Sequence, residues 1–95
     1  MGIEFLEELD KVIAERKSSN HSGSYTASLF KAGLDKILQK VGEESIEFIL
    51  DSKNQDRERA SEEGADLLFH FMVALQAQGL SISDIVSVLA NRHKD

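Results

Sequence analysis

Glu43, Glu44 and Glu47 fall in one stretch of helical pattern, and Glu63 and Asp66 fall in the next. Residues three apart on a helix project roughly 60° from one another, so Glu44 and Glu47 share one flank, and Glu63 and Asp66 share another. The second pair, with His70, borders an apolar stripe of Leu67, Leu68, Phe71 and Leu75. If the two helices are antiparallel neighbours, four carboxylates converge beside the core. Unpaired, they would repel one another in a partly dry groove. A hard divalent cation removes that conflict, because oxygen-only ligands suit Mg²⁺, with Mn²⁺ as a substitute. The plainer reading is a solvated face. In that reading Lys36, Lys40, Arg57 and Arg59 make intrahelical ion pairs worth about 0.2–0.5 kcal/mol each. His70 stands one turn after Asp66 and either bonds it directly or serves as an outer group that orients the carboxylate.

The elements that must carry these residues are helices. Ile3, Leu6, Leu9, Val12 and Ile13 recur at helical spacing and predict a first helix over about residues 3–16. The polar run "KSSNHSGS", residues 17–24, has no periodicity and reads as a mobile loop. Ser24 is placed to cap a short helix that Gly33 ends. A third helix is expected over about residues 34–51, with Leu34, Ile37, Leu38, Val41, Phe48 and Ile49 on one side. "SKNQD" is a turn, and Asp56 suits the N-cap of a long helix reaching Gln78, with Gly79 as its stop. Ser81 and Asp84 form a capping-box pattern for a last helix to about Arg92. The expected fold is all-α, one domain over residues 1–95, a small bundle of four main helices plus one short one. Ile46 and Leu50 project roughly opposite the Leu34–Val41 stripe. A helix apolar on two sides is either central in its bundle or covered by a second subunit, and a homodimer is the expectation.

Composition narrows the classes. Ninety-five residues at 41% hydrophobic content make a small globular domain near the lower limit for an independent core. The net charge is −6, from 11 basic and 17 acidic residues, which argues against nucleic-acid binding. It leaves room for a phosphorylated small molecule, provided cations bridge the two. There is no cysteine, so thiolate metal sites and disulfides are excluded. No apolar run approaches membrane-spanning length, and the acidic amphipathic start "MGIEFLEELDKVIAERK" is unlike a signal peptide. Gly2 invites a lipidation reading, but Leu6 stands where that motif wants Ser or Thr. A cytoplasmic protein is expected. Glycine-rich phosphate loops and the GxSxG and HExxH patterns are missing.

The runs "SYTASLF", "GLDKILQKVGEESIE", "EEGADLLFHFMVAL" and "GLSISDIVSVLANRH" resemble the phosphoribosyl-ATP pyrophosphatases of histidine biosynthesis, within the all-α MazG-like pyrophosphohydrolases and dimeric dUTPases. The resemblance covers roughly residues 24–93, and the wider pattern EExxE then ExxD is met by Glu43, Glu44, Glu47, Glu63 and Asp66. It implies hydrolysis of N1-(5-phosphoribosyl)-ATP to phosphoribosyl-AMP and pyrophosphate with Mg²⁺. It also implies Glu44, Glu47, Glu63 and Asp66 as metal ligands. Glu43 or Glu47 is the candidate base, and the sequence does not separate ligand from base. Lys36 and Lys40, one turn apart, are candidates for holding phosphates, with plain surface charge as the alternative. Ser24, Tyr25 and Thr26 are carried over as nucleotide contacts. The chain has neither the length nor the cysteines of the cyclohydrolase to which this domain is fused in some organisms, so only the pyrophosphatase step is expected. Gly64 departs from the pattern, where a helix former is usual, at about 1 kcal/mol of helix propensity. Two rivals remain at this stage: a housekeeping hydrolase of dCTP, dUTP or damaged nucleotides, and a non-enzymatic helical interaction module.

Overall fold

The computed structural model describes residues 1–18 and 23–94, and residues 19–22, including His21, lie outside that description. Five helices follow in order: α1 (Phe5–Ser18), α2 (Tyr25–Ala32), α3 (Leu34–Lys53), α4 (Arg57–Ala77) and α5 (Ile82–Arg92), with no strand among the described residues. The all-α expectation holds, with α2 as the short helix. The expected loop over residues 17–24 is corrected at its start, and the expected Ser24 cap holds. Lys17 and Ser18 complete α1, and Ser24 is the N-cap of α2, accepting a hydrogen bond from the Ala27 N–H at 3.1 Å.

Helix ends follow local chemistry. Gly33 closes α2 and opens α3 at φ +102°, a backbone region that side chains with a Cβ scarcely enter. Both long helices finish in the same six-residue motif. After α4, Leu80 N–H bonds the Leu75 carbonyl at 2.9 Å and Gly79 N–H bonds that of Gln76 at 3.1 Å. After α3, Asp56 N–H bonds the Asp51 carbonyl and Gln55 N–H that of Ser52, both at 3.1 Å. There the left-handed position is filled by Gln55 at φ +60° instead of glycine. Asp56 then caps α4 by accepting from the Arg59 N–H at 3.1 Å. One residue thus ends one helix and starts the next, and α3 and α4 become a tight hairpin. The Ser81–Asp84 capping box at α5 is present in full.

The hairpin is antiparallel: Arg59 faces Asp51, Glu63 faces Glu47 and Asp66 faces Glu44. It makes the most extensive helix–helix contact of the molecule. The core lies at its far end, where Ile37 of α3 and Met72, Val73 and Ala74 of α4 meet Ile13 of α1 and Leu29 of α2. Four consecutive residues, Met72 to Leu75, are buried. The single stripe expected for α4 is therefore corrected. At this end α4 is surrounded by α1, α2 and α3, so every side of it is interior. Asp10 of α1 is buried beside it and ties two elements together, accepting from the Gln76 amide at 3.1 Å and from the Ile82 N–H at 3.4 Å. Lys17 donates to the Gln76 carbonyl at 2.6 Å, a second hydrogen bond on the oxygen that already accepts from Gly79.

The other end of the hairpin is less covered. Ile46 and Ile49 are each 59% exposed and Leu50 is 50% exposed. Between the helices Val41, Phe48, Gly64, Leu67, Leu68 and Phe71 line an apolar groove of about 460 Å³. No single helix is long and apolar enough to cross a membrane among the described residues.

Candidate metal centre

The antiparallel register sets the carboxylates of α3 against those of α4 at the end remote from the core. Glu44, Glu63 and Asp66 offer oxygens within 4.8 Å of one another, and so do Glu47, Asp51 and Glu63. Glu63 belongs to both groups. All four carboxylates singled out from the sequence, Glu44, Glu47, Glu63 and Asp66, are thus brought together, and Asp51 joins them. Sequence reasoning missed Asp51, although a signal was there: it lies one turn after Glu47, on the same flank.

Local cations do not neutralise this cluster. Lys40 reaches Glu44 at 3.6 Å, and Arg59 reaches Asp51 at 3.6 Å, on one oxygen each. Among the described residues no lysine or arginine pairs with Glu47, Glu63 or Asp66. Asp51 Oδ2 and Glu63 Oε2 are buried without a hydrogen-bond partner. Such orphans are uncommon in folded proteins and call for an explanation. The neighbouring Glu44 carboxylate, then burial, then the charges of Glu44, Asp66 and Glu47 hold the Glu63 carboxyl above the usual range. The donor set is all oxygen and anionic, two of its oxygens are unsatisfied, and like charges crowd one another. These residues fit a hard divalent cation.

Glu43 stands apart from this cluster. It accepts from the Gln39 amide at 3.0 Å and pairs with Lys40 at 3.5 Å. The Gln39 hydrogen bond above all, joined by the Lys40 charge and hydrogen bond, outweighs the opposing effect of desolvation and holds its carboxyl below the usual range. Lys40 bridges the two settings. Desolvation pulls its ammonium down, but Tyr25, Glu43 and Glu44 together outweigh this and leave it above its ordinary value. Lys36 is exposed and is felt at Glu43.

Tyr25 and His70 complete the neighbourhood. The Tyr25 hydroxyl lies 2.9 Å from His70 Nε2, and His70 Nδ1 lies 2.7 Å from the main-chain carbonyl of Asp66. The ring of His70 therefore engages the Asp66 backbone rather than its carboxylate. Phe69 fills the corner, its ring stacked on Tyr25 at 6.3 Å and set edge-on to His70 at 5.2 Å. Ser24 is occupied as the cap of α2, and Thr26 is half-buried in the first turn of that helix.

Comparison with known proteins matches this chain to the family of phosphoribosyl-ATP pyrophosphohydrolases over residues 6–93. A phosphoribosyl-ATP pyrophosphatase of Methanoculleus marisnigri is 52% identical over 91 residues, covering 94% of each chain. The histidine biosynthesis bifunctional proteins HisIE of Bacillus subtilis and Vibrio cholerae are 48% and 46% identical over 90 residues. The chain spans 43% of the length of each of these two bifunctional relatives. By the span of the family match and by its likeness to a relative of nearly equal coverage, this chain belongs to the phosphoribosyl-ATP pyrophosphohydrolase family.

Proposed function

We propose that this chain hydrolyses N1-(5-phosphoribosyl)-ATP at its α–β phosphoanhydride, releasing phosphoribosyl-AMP and pyrophosphate, with Mg²⁺ held by Glu44, Glu63 and Asp66 and by Glu47, Asp51 and Glu63. The observation that carries the reading is the orphaned, crowded Glu63 carboxyl shared by two groups of oxygens, in a chain of this family. When bound, Mg²⁺ supplies positive charge for the phosphate oxygens and acidifies water. The chain's own contribution is positional. Water adds to phosphorus, the bridging P–O bond breaks and pyrophosphate leaves, while a carboxylate takes the proton. Of the two candidate bases, Glu47 belongs to the cluster, whereas Glu43 stands outside it and is occupied by Gln39 and Lys40. We assign proton acceptance to Glu47. The Lys40 ammonium, with Lys36 one turn earlier, offers charge to the phosphates.

The working form is a cytoplasmic homodimer in this reading. Ile46, Ile49 and Leu50, together with the apolar groove, form a surface that a second copy would cover. Light scattering at micromolar concentration should give twice the 10.6 kDa mass of the chain, and a purely monomeric species would contradict this. The activity is tested by pyrophosphate release from phosphoribosyl-ATP beside ATP, dCTP and dUTP. Preference for phosphoribosyl-ATP is expected, and faster hydrolysis of dCTP or dUTP would move the chain to the housekeeping branch.

A further inference from the structure

Lys40 precedes Glu43 by three residues and Glu44 by four, so one ammonium can reach both carboxylates on the same flank of α3. It lies 3.5 Å from Glu43 and 3.6 Å from Glu44. Both contacts are longer than the roughly 2.7–2.9 Å of a short charge-assisted hydrogen bond, so charge holds the ammonium there without committing it to either partner. The two carboxylates differ in setting. The Glu44 side chain is 15% exposed and belongs to the cluster with Glu63 and Asp66, whereas Glu43 is 51% exposed and lies outside it. Lys40 itself is 26% exposed, on a side chain flexible enough to shift between the two. Lys36, one turn earlier, is exposed and forms no ion pair with a described residue.

Two cations on one half-buried carboxylate repel each other, and the repulsion is strong where water is scarce. The ammonium at Glu44 is thus a competitor for any cation that Glu44, Glu63 and Asp66 would bind. Glu43 supplies the retreat, since an ammonium displaced from Glu44 keeps a carboxylate partner without leaving its flank of α3. An ammonium has three N–H donors, and the one released from Glu44 is then free for an anion such as a phosphate oxygen.

We propose that Lys40 is a tethered counter-ion: it holds Glu44 until a divalent cation takes that carboxylate, then pairs with Glu43 alone and directs its charge to the substrate phosphates. The inference rests on the cation-site reading above. Its test is calorimetric titration of the metal-free chain with Mg²⁺ at constant ionic strength, beside pyrophosphate release from phosphoribosyl-ATP at saturating Mg²⁺. Lys40→Met should tighten the Mg²⁺ dissociation constant about three- to tenfold and raise KM for phosphoribosyl-ATP by about the same factor. Those opposite signs set it apart from a structural residue, whose loss would weaken both. Lys36→Met makes the same change of charge without the contact and should leave Mg²⁺ affinity within about twofold of the wild type. Lys40→Arg keeps the charge and should not tighten Mg²⁺ binding. Glu43→Gln removes the retreat and should weaken Mg²⁺ binding in the wild-type background but not in Lys40→Met, a coupling that a double-mutant cycle reads directly. Circular dichroism checks that each variant is folded, and Lys40→Gln takes the place of Lys40→Met if the latter is not. Mg²⁺ binding in Lys40→Met no tighter than in the wild type, equal tightening in Lys36→Met, tightening in Lys40→Arg, an unchanged KM or an additive cycle each overturns the inference and leaves the cation site standing. Absence of saturable Mg²⁺ binding in the folded wild type overturns both.

Discussion

Asp10 and Glu63 are carboxyl groups in partly dry settings at opposite ends of α4, and the chain treats them in opposite ways. Asp10 has a donor for each oxygen, the Gln76 amide and the Ile82 N–H, and through them α1, α4 and α5 are tied together. Glu63 has one buried oxygen without a partner, and its nearest neighbours are other acids. A buried polar group with its hydrogen bonds made holds a fold together, and one left without them stores a cost that a ligand can relieve. The core end of α4 is built for stability. The hairpin end leaves carboxylate oxygens without partners, and the proposed cation would answer them.

The largest expected effect comes from breaking the second setting without touching the first. Glu44→Gln or Asp66→Asn should lower turnover by more than about 100-fold at saturating Mg²⁺, while circular dichroism shows unchanged helix content. Near-native turnover in either variant would remove these residues from the site. Breaking the first setting should do the reverse. Asp10→Ala leaves two donors unpaired and should cost about 1–3 kcal/mol in denaturant unfolding, with turnover per folded molecule preserved.

The acid dependence of the metal-free protein sharpens the contrast. Glu63 is raised above its ordinary value of 4.5, so the folded state binds its proton more readily than the unfolded chain does. Stability should therefore rise as pH falls from neutral through that raised value toward 4.5. Glu43 is lowered from the same ordinary value of 4.5, so its contribution is present above that pH and is lost as pH falls through its lower folded value. Denaturant unfolding across this range should show a rise and then a fall. Glu63→Gln should abolish the rise and keep the fall, and an unchanged rise would assign it to another group. The smallest effect is expected at Gly64. A Cβ there would meet Phe48 at 3.5 Å, an ordinary contact, so Gly64→Ala should stabilise by about 0.5–1 kcal/mol through helix propensity, read from the shift in melting temperature.

The sequence made much of this legible, and for identifiable reasons. Ser24, Gly33, Asp56, Gly79 and Ser81 act within a few residues of themselves, so the helix ends they govern could be read locally. The end of α3 ran two residues past the expected one, to Lys53, because its left-handed turn position is held by Gln55, which carries no glycine signal. The burial of Met72, Val73 and Ala74 was not legible, since a stripe on one helix does not say how many others surround it. In the site, periodicity grouped Glu44 with Glu47 and Glu63 with Asp66. Asp51 needed the antiparallel register, and so did the Tyr25–His70 contact, which joins residues 45 apart in sequence.

The account stands on the claim that the hairpin carboxylates form a cation site rather than a solvated face. Thermal melts of the wild type and of Glu47→Gln and Glu63→Gln, with and without Mg²⁺ at constant ionic strength, test it without recourse to turnover. Without Mg²⁺ both variants should be more stable than the wild type, because each removes a repelling charge. At a hundredfold excess over its dissociation constant, Mg²⁺ should stabilise the wild type by about 2.7 kcal/mol and the variants much less. Equal magnesium shifts in all three proteins would contradict the claim.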